Sequence, residues 1–579
     1  MAQVEAAQVS GGYLEVSAAE SAPDTLTGGA LAAEVLARSG VEQVFMLHGA
    51  HVHGVLVGCV DRGIGIIGVR HEVAAGHAAE GYARAGRRLG VALITAGPGM
   101  TNVVTSMADA HVDRTPVLYL SGSVQAFHDD TNALQSGVDQ VALAKPITKW
   151  AGRAHRTQDI PRLVAQAIRA ALTPPMGPTF LEIPLDVLNA SVRLDEVDIP
   201  SQIQMPSRRV PDDGEIAQAV AVLAEARRPA IMAGADVYAS GAWDALREFA
   251  EVADLPVFCQ FEALGCLPSD HSLFAGSLWQ MTQLPEDLQP DVVLAVGVRF
   301  GWNAPGFQAA LDADVIHVSV DETEFGRPRP AKVSILADSE EALRALTKEL
   351  DDAVTFPDPE RWLQDVRDVI ARGITTARDS SPGTGAGIHP HRIAEIVCET
   401  VGPETIIVGD GALTKHWLDD AVVTTRQRPG TYLTHGPLGA MGIGLGLAMG
   451  ARLARPDQRV LCLTGDGSLG FTIAELDTMV RHDIPVVIVV MNNQSFFGLE
   501  RFPRLADGSM PTIATDLGAV RYEDVAVAFN GFGRPVEREE DLVPAIEEAF
   551  ASGLPSVINV STARGFGTAF SMGAFRVMQ

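Results

Sequence analysis

Residues 460–498, VLCLTGDGSLGFTIAELDTMVRHDIPVVIVVMNNQSFFG, decide the fold. LCLT and VVIVVM are short runs of the kind that a parallel sheet buries on both faces. Ile473 to Met479 has helical spacing, and Asp483 with Pro485 closes it before the second run. Such a strand–helix–strand unit crosses over, so both strand carboxyl ends open on one edge of the sheet. Asp466 of the Gly-Asp-Gly turn and Asn493 of the Asn-Asn pair therefore meet there. A carboxylate, an amide oxygen and a nearby backbone carbonyl are hard donors that suit Mg²⁺, which completes its octahedron with water and phosphate oxygens. Gly465 and Gly467 let the backbone approach a diphosphate, and the next helix N-terminus favours its charge. Gly-Asp-Gly alone is a common turn. The double Asn after the next buried strand is what selects metal and diphosphate.

The rest of the chain bounds the answer. Its 579 residues suffice for several domains, and 47% apolar with 20% charged residues fits a globular protein with a large core. A formal net charge of −28 disfavours nucleic acid or an anionic membrane as partner. Cys59, Cys259, Cys266, Cys398 and Cys462 show no CxxC spacing, so neither a disulfide framework nor a Cys-based zinc site is expected. The first 25 residues lack a basic segment before an apolar one and do not read as a signal peptide. No stretch reaches the ~18 apolar residues that a membrane span needs. The expected setting is the cytoplasm.

Three doubly wound parallel-sheet α/β domains in series are predicted. A disordered tail covers 1–25. The first block, 26–192, has a helix near 31–39 and strands at VEQVFML, GIGIIGVR, VALITAG, PVLYLSG and TFLEIPLDV. A Pro-containing linker, 193–214, leads to a central Rossmann-like block, 215–352, with strands PAIMAGAD, PVFCQ, DVVLAVGVRF and DVIHVSVD. A second linker, 353–388, includes the Gly/Ser/Pro-rich run SPGTGAG at 381–387 and leads to a third block, 389–565. Its strands are TIIVGDGA, TYLTHG, RVLCLTGDG, PVVIVVMNN and PSVINVSTA. Residues 566–579 form a tail or a flap over a site. No GxGxxG opens a helix after a strand with an acidic residue ~20 positions on, which disfavours a dinucleotide dehydrogenase.

In VRHEVAAGHAAEGYARAG, Glu72 stands where a buried strand gives way to an Ala/Gly-rich helix. One reading is an acid in a helix first turn, stabilised by the dipole. The other is a carboxyl with a raised pKa between apolar strand and close-packed helix, able to exchange a proton near neutrality. His77 and His111 read as structural.

GDG…NN resembles the diphosphate-anchoring signature of thiamine-diphosphate (ThDP) enzymes. The resemblance implies that Asp466, Asn493 and the Ser495 carbonyl hold Mg²⁺. It implies that Gly465, Gly467 and Ser468 lie along the diphosphate. Gly411 and Gly439 would face the pyrimidine, and Met441 in GPLGAMGIG would be the wedge that bends the cofactor; its plain alternative is core packing. Glu72 would protonate the aminopyrimidine ring from a neighbouring subunit. A homodimer is then the minimum, and a homotetramer is expected.

LHGAHVHG, RHEVAAGHAAEGYARAG, DRTPVLYLSGS, TNALQSGVDQVALAKPITKWAGR and VGDGALTKHWL resemble the benzaldehyde lyase group, which cleaves and forms 2-hydroxy ketones (acyloins) from aldehydes. That resemblance implies a proton relay at His51 and a substrate-oxygen contact at Gln135. A base and a polar hydrogen-bonding group are what acyloin cleavage needs. The pocket would include His48, Ala50, Leu185, Lys415, Phe496, Gly498 and Phe502. His48 is equally readable as an ordinary loop histidine. Leu185, Lys415, Phe496 and Gly498 depart from the group's pattern and imply a less aromatic pocket. Lys415 pairs with an anionic substrate if it points inward, and is without consequence if it points outward. The alternatives are a 2-oxo acid decarboxylase, acetolactate-synthase-like, or a 2-hydroxyacyl-CoA lyase, the latter thinly supported by Arg299, Arg327 and Arg329.

Overall fold

The computed structural model describes residues 24–281, 284–300, 313–327, 330–350, 359–379, 387–425, 427–496 and 514–564. Three six-stranded sheets follow one another along the chain, and every strand pair in them is parallel. Central strands such as Gly90–Ile94, Val292–Val296 and Val487–Asn492 carry the apolar runs seen in the sequence and are buried almost throughout. Helices cover both faces, so such strands need no polar face.

The first sheet runs in the order Gly65–Gly68, Gln43–Met46, Gly90–Ile94, Val117–Ser123, Thr179–Pro184, Trp150–Arg153. The winding reverses between Gln43–Met46 and Gly90–Ile94. The third sheet runs Tyr432–Thr434, Ile406–Gly409, Val460–Gly465, Val487–Asn492, Ser556–Ser561, Phe532–Val536, and reverses between Ile406–Gly409 and Val460–Gly465. The central sheet reverses between Pro229–Ala233 and Val292–Val296. A reversal leaves a crevice beyond the strand carboxyl ends, because neighbouring loops turn away in opposite directions. His51 and Thr95 follow the first pair of strands, and Gly411 and Asp466 follow the third-sheet pair. Sheet topology thus places two half-sites before any side chain is considered.

Several expectations need correction. The stretch 353–388 is not simply a linker: helix Glu360–Asp379 occupies much of it. Leu363 and Val366 are buried, Trp362 Nε1 donates to Leu288 O at 2.9 Å, and Arg367 donates to the carbonyls of Ser272 and Phe274. The linker 193–214 is shorter than expected. Ser191–Arg193 pairs antiparallel with Thr25–Thr27, and Asp212 caps a helix beginning at Asp213. Gly-Asp-Gly is not a free turn, since helix Asp466–Thr472 starts on the aspartate itself and a second piece, Glu475–Arg481, follows. The two chain ends, Arg329, Gly498 and Phe502 lie outside the described residues. No helix among the described residues is long and apolar enough to cross a membrane.

The first and third blocks meet along helices Glu72–Gly86 and Gly444–Ala454. Glycine makes this contact possible. A Cβ on Gly81 would stand 2.2 Å from Leu447 O, and one on Gly450 2.0 Å from Ala78 O. Both obstacles are backbone, which cannot rotate away. Gly450→Ala is therefore expected to destabilise the fold by about 1–3 kcal/mol, read as a lower thermal midpoint; an unchanged midpoint would show that the helices sit further apart.

Candidate active site

The third-sheet half-site begins where Val460–Gly465 ends. Asp466 is 2% exposed, and its Oδ2 has no hydrogen-bond partner among the described residues. The backbone amides of Gly467, Gln494 and Ser495 face its carboxyl, but burial outweighs them and pushes its pKa up to about 6. Asn493 comes from the end of the neighbouring strand, and its Oδ1 accepts from the Ser495 amide at 3.0 Å. With Gly411, Met441, Gly465, Gly467, Ser468 and Phe496, these residues line one cavity of about 60 Å³. The expected metal and diphosphate residues are therefore together. Gly439 is exposed and does not line the cavity, although its φ of +69° bends the loop that delivers Met441.

Two glycines here are required by close approach. A Cβ on Gly467 would stand 2.7 Å from the Phe496 ring, and one on Gly411, at φ +90°, 2.8 Å from Ser468 Oγ. Two supporting residues were not singled out from the sequence, although Asp410 stands in a second Gly-Asp-Gly at 409–411. Asp410 is fully buried and accepts from the Gly442 and Gly444 amides at 3.0 and 3.2 Å, fixing the Met441 loop. Arg564 donates through Nε to Asn493 O at 2.6 Å and through a terminal nitrogen to Gln494 O at 2.7 Å, holding the double-Asn segment.

The first-sheet half-site gathers Glu72, His51 and Gln135 around Thr95 and Gly97. Glu72 opens helix Glu72–Gly86, is 5% exposed and accepts from Asn102 Nδ2 at 3.0 Å. The segment just before it is clamped from the third block. Glu475 accepts from the backbone amides of Arg70 and His71 at 3.1 and 3.0 Å. His51 Nδ1 lies 3.4 Å from Thr95 Oγ1, and partial burial holds the imidazole below its usual pKa, so it is neutral near pH 7. Gln135 sits at φ +67°, with its Cβ 3.0 Å from where a side chain on Gly97 would begin. Beneath them, buried Gln140 accepts from the Gly97 amide and donates to Gly122 O.

The other expected pocket residues differ in their surroundings. His48 and Ala50 are exposed on the edge that carries His51, and the His48 ring lies edge-on to His53 at 5.7 Å. Leu185 packs on the first-block core. Lys415 neither faces a substrate nor reaches solvent, which corrects both readings of it. It is 1% exposed, its Nζ is 2.5 Å from Asp419 Oδ2, and it lies 4.5 Å from the Phe261 ring centroid. None of the first-block residues lines the third-block cavity within one chain.

Three family models match in the same order as the three sheets. They are the N-terminal TPP binding domain (residues 26–143), the central domain (216–346) and the C-terminal TPP binding domain (407–560) of thiamine pyrophosphate enzymes. The chain belongs to the thiamine pyrophosphate enzyme family. It is 34% identical over 554 residues to the acetolactate synthase large subunit IlvG of Mycobacterium tuberculosis, covering 94% of this chain and 97% of that protein. It is 29% identical over 543 residues to acetolactate synthase isozyme 2 large subunit of Escherichia coli, covering 93% and 95%. Isozyme 3 of Escherichia coli is 30% identical over 487 residues, covering 81% and 83%. These relatives are named acetolactate synthases, so the expected likeness to benzaldehyde lyase finds no support among them.

As in this family, the cofactor is thiamine diphosphate and Mg²⁺ is its usual metal. The residues fit both: Asp466 offers a buried carboxylate oxygen with no hydrogen-bond partner among the described residues, beside an amide oxygen and close-approach glycines. Because only the ionised carboxylate binds metal, a proton competes below about pH 6. Apparent Mg²⁺ affinity is expected to be level above that pH and to fall about tenfold per pH unit below it. Titration calorimetry from pH 7.5 to 5 tests this, and a flat profile would remove Asp466 from the ligand set.

Proposed function

We propose that this protein is a decarboxylating carboligase of the acetolactate synthase kind, which releases CO₂ from one 2-oxo acid and joins the remaining acyl unit to the carbonyl of another. The observation that carries this reading is the match along nearly the whole chain to proteins bearing that name. The acyloin lyase drawn from the benzaldehyde lyase resemblance gives way to it, since the two share site chemistry and differ in substrate.

Bound here, the cofactor supplies an electron sink for the acyl fragment. Asp466, Asn493 and the Ser495 carbonyl hold its Mg²⁺. Gly467 and the N-terminal turn at Asp466 receive the diphosphate, and Met441 shapes the cavity wall. Glu72 would hold the proton that the cofactor's aminopyrimidine ring needs. His51, being neutral, can accept a hydroxyl proton and return it, and the Gln135 amide can donate to a substrate oxygen.

The two half-sites lie on different sheet edges, so we read the working unit as a homodimer, with a dimer of dimers beyond it. Large apolar side chains flank both. Phe127 and Leu134 are 66% and 86% exposed on the first edge, and Leu438 and Phe471 43% and 59% on the third. Exposed apolar groups beside incomplete polar sites suit a seam between subunits.

The test is product analysis with ThDP and Mg²⁺ present. Pyruvate is expected to yield one CO₂ and one acetolactate for every two pyruvates consumed. Cleavage of benzoin or aliphatic acyloins, with no CO₂ from any 2-oxo acid, would return the reading to the acyloin lyase.

A further inference from the structure

Apart from both half-sites, three ligand-type side chains are enclosed together between helices Glu72–Gly86 and Pro98–Val112: His77, Glu80 and Asp109. None is more than 2% exposed. His77 Nδ1, Glu80 Oε2 and both Asp109 carboxylate oxygens make no hydrogen bond among the described residues. Buried polar atoms of this kind are rarely left so. His77 Nδ1 lies 3.6 Å from Glu80 Oε2 and 3.7 Å from Asp109 Oδ2, and one ligand atom of each residue lies within 4.8 Å of the others.

Those separations are too long for hydrogen bonds. They are close to the edges of a small coordination polyhedron, because donors about 2.0–2.2 Å from zinc at tetrahedral angles stand about 3.3–3.6 Å apart. The charges point the same way. Glu80, Asp109 and Asp113 bring three carboxylates, against which Arg84 brings one guanidinium, 3.3 Å from Glu80 Oε1 and 3.2 Å from Asp113 Oδ2. Carboxylates crowded into a dry volume carry charge that is costly unless it is protonated or matched. A divalent cation matches it. Arg84 already holds the far oxygen of Glu80, leaving Oε2 turned toward His77, as an outer partner orients a metal ligand.

We propose that His77, Glu80 and Asp109 bind a divalent cation of the zinc class, separate from the Mg²⁺ site at Asp466. A Cβ on Gly446 would stand 2.6 Å from His77 Cβ, so the cluster lies against the third-block helix. A cation there braces the helix whose first residue is Glu72, a positioning role rather than a catalytic one.

The full-length protein, carrying ThDP and Mg²⁺, is incubated with zinc chloride, dialysed against metal-free buffer, and its metals counted by plasma mass spectrometry. The parent is expected to keep about one zinc per chain, and His77→Ala and Asp109→Asn less than about a tenth, with cofactor binding retained. A parent that keeps no zinc, or variants that keep as much as the parent, would overturn the site. If the variants fail to fold, X-ray absorption at the zinc edge of the parent decides. One nitrogen and otherwise oxygen neighbours support the proposal, and sulfur or several histidines refute it. The metal count is independent of turnover, so its outcome is separate from that of the substrate test.

Discussion

Glu72→Gln is expected to lower turnover by about a thousandfold, within the span a single positioned acid–base group contributes. The substitution keeps size and shape, and the new amide oxygen can still accept from Asn102, 3.0 Å from the native carboxylate. The Glu475 clamp on the Arg70 and His71 amides is untouched, so the helix should start at the same place. Anchoring of the Mg²⁺ and the cofactor's diphosphate should also be unchanged, because the residues lining that cavity all come from the third block. Loss of turnover with intact cofactor binding and an unaltered circular dichroism spectrum is the combination that assigns proton transfer to this side chain. A loss smaller than about tenfold would fall short of general acid–base catalysis and reduce Glu72 to a structural acid.

How far the sequence discloses this arrangement follows from where each residue sits. The strands legible in it include every central one, such as Val117–Ser123 and Val460–Gly465, because burial on both faces forces continuous apolar runs. The four strands of the six-stranded sheets that escape a reading of the sequence, Trp150–Arg153, Phe274–Ser277, Val333–Leu336 and Phe532–Val536, are all at sheet edges. An edge strand meets neighbours on one side only, so FGRPV keeps Gly, Arg and Pro and shows no alternation to read. Helix Glu360–Asp379 is hidden for another reason. Its buried stripe is narrow, and the Gly/Ser/Pro-rich stretch beyond it makes the whole segment look like a linker.

The site divides in the same way. Asp466, Asn493 and Glu72 carry local patterns, a turn, a doublet and a strand-to-helix junction, that announce chemistry. Thr95, Glu475 and Arg564 act on residues distant in sequence, and a lone polar residue brought in by tertiary folding has no such pattern. Lys415 is legible in principle. Asp419 stands four positions on along the same helix, the spacing at which opposite charges meet, and that pairing accounts for the lysine without any substrate.

Mixing two inactive variants gives the second large effect. Asp466→Ala removes the buried carboxylate from the metal site and is expected to abolish cofactor retention, while Glu72→Gln retains the cofactor but does not turn over. If each site takes its glutamate from one chain and its aspartate from the other, a mixed dimer contains one site with both defects and one with neither. Co-expression in equal amounts makes half of the dimers mixed, so about a quarter of parental activity should return. If both residues served the same site from within one chain, every site in every dimer would keep a defect and nothing would return. Recovery near a quarter, appearing only when the chains are allowed to exchange, would place the seam between subunits through the middle of the reaction; no recovery from properly folded dimers would confine each site to a single chain.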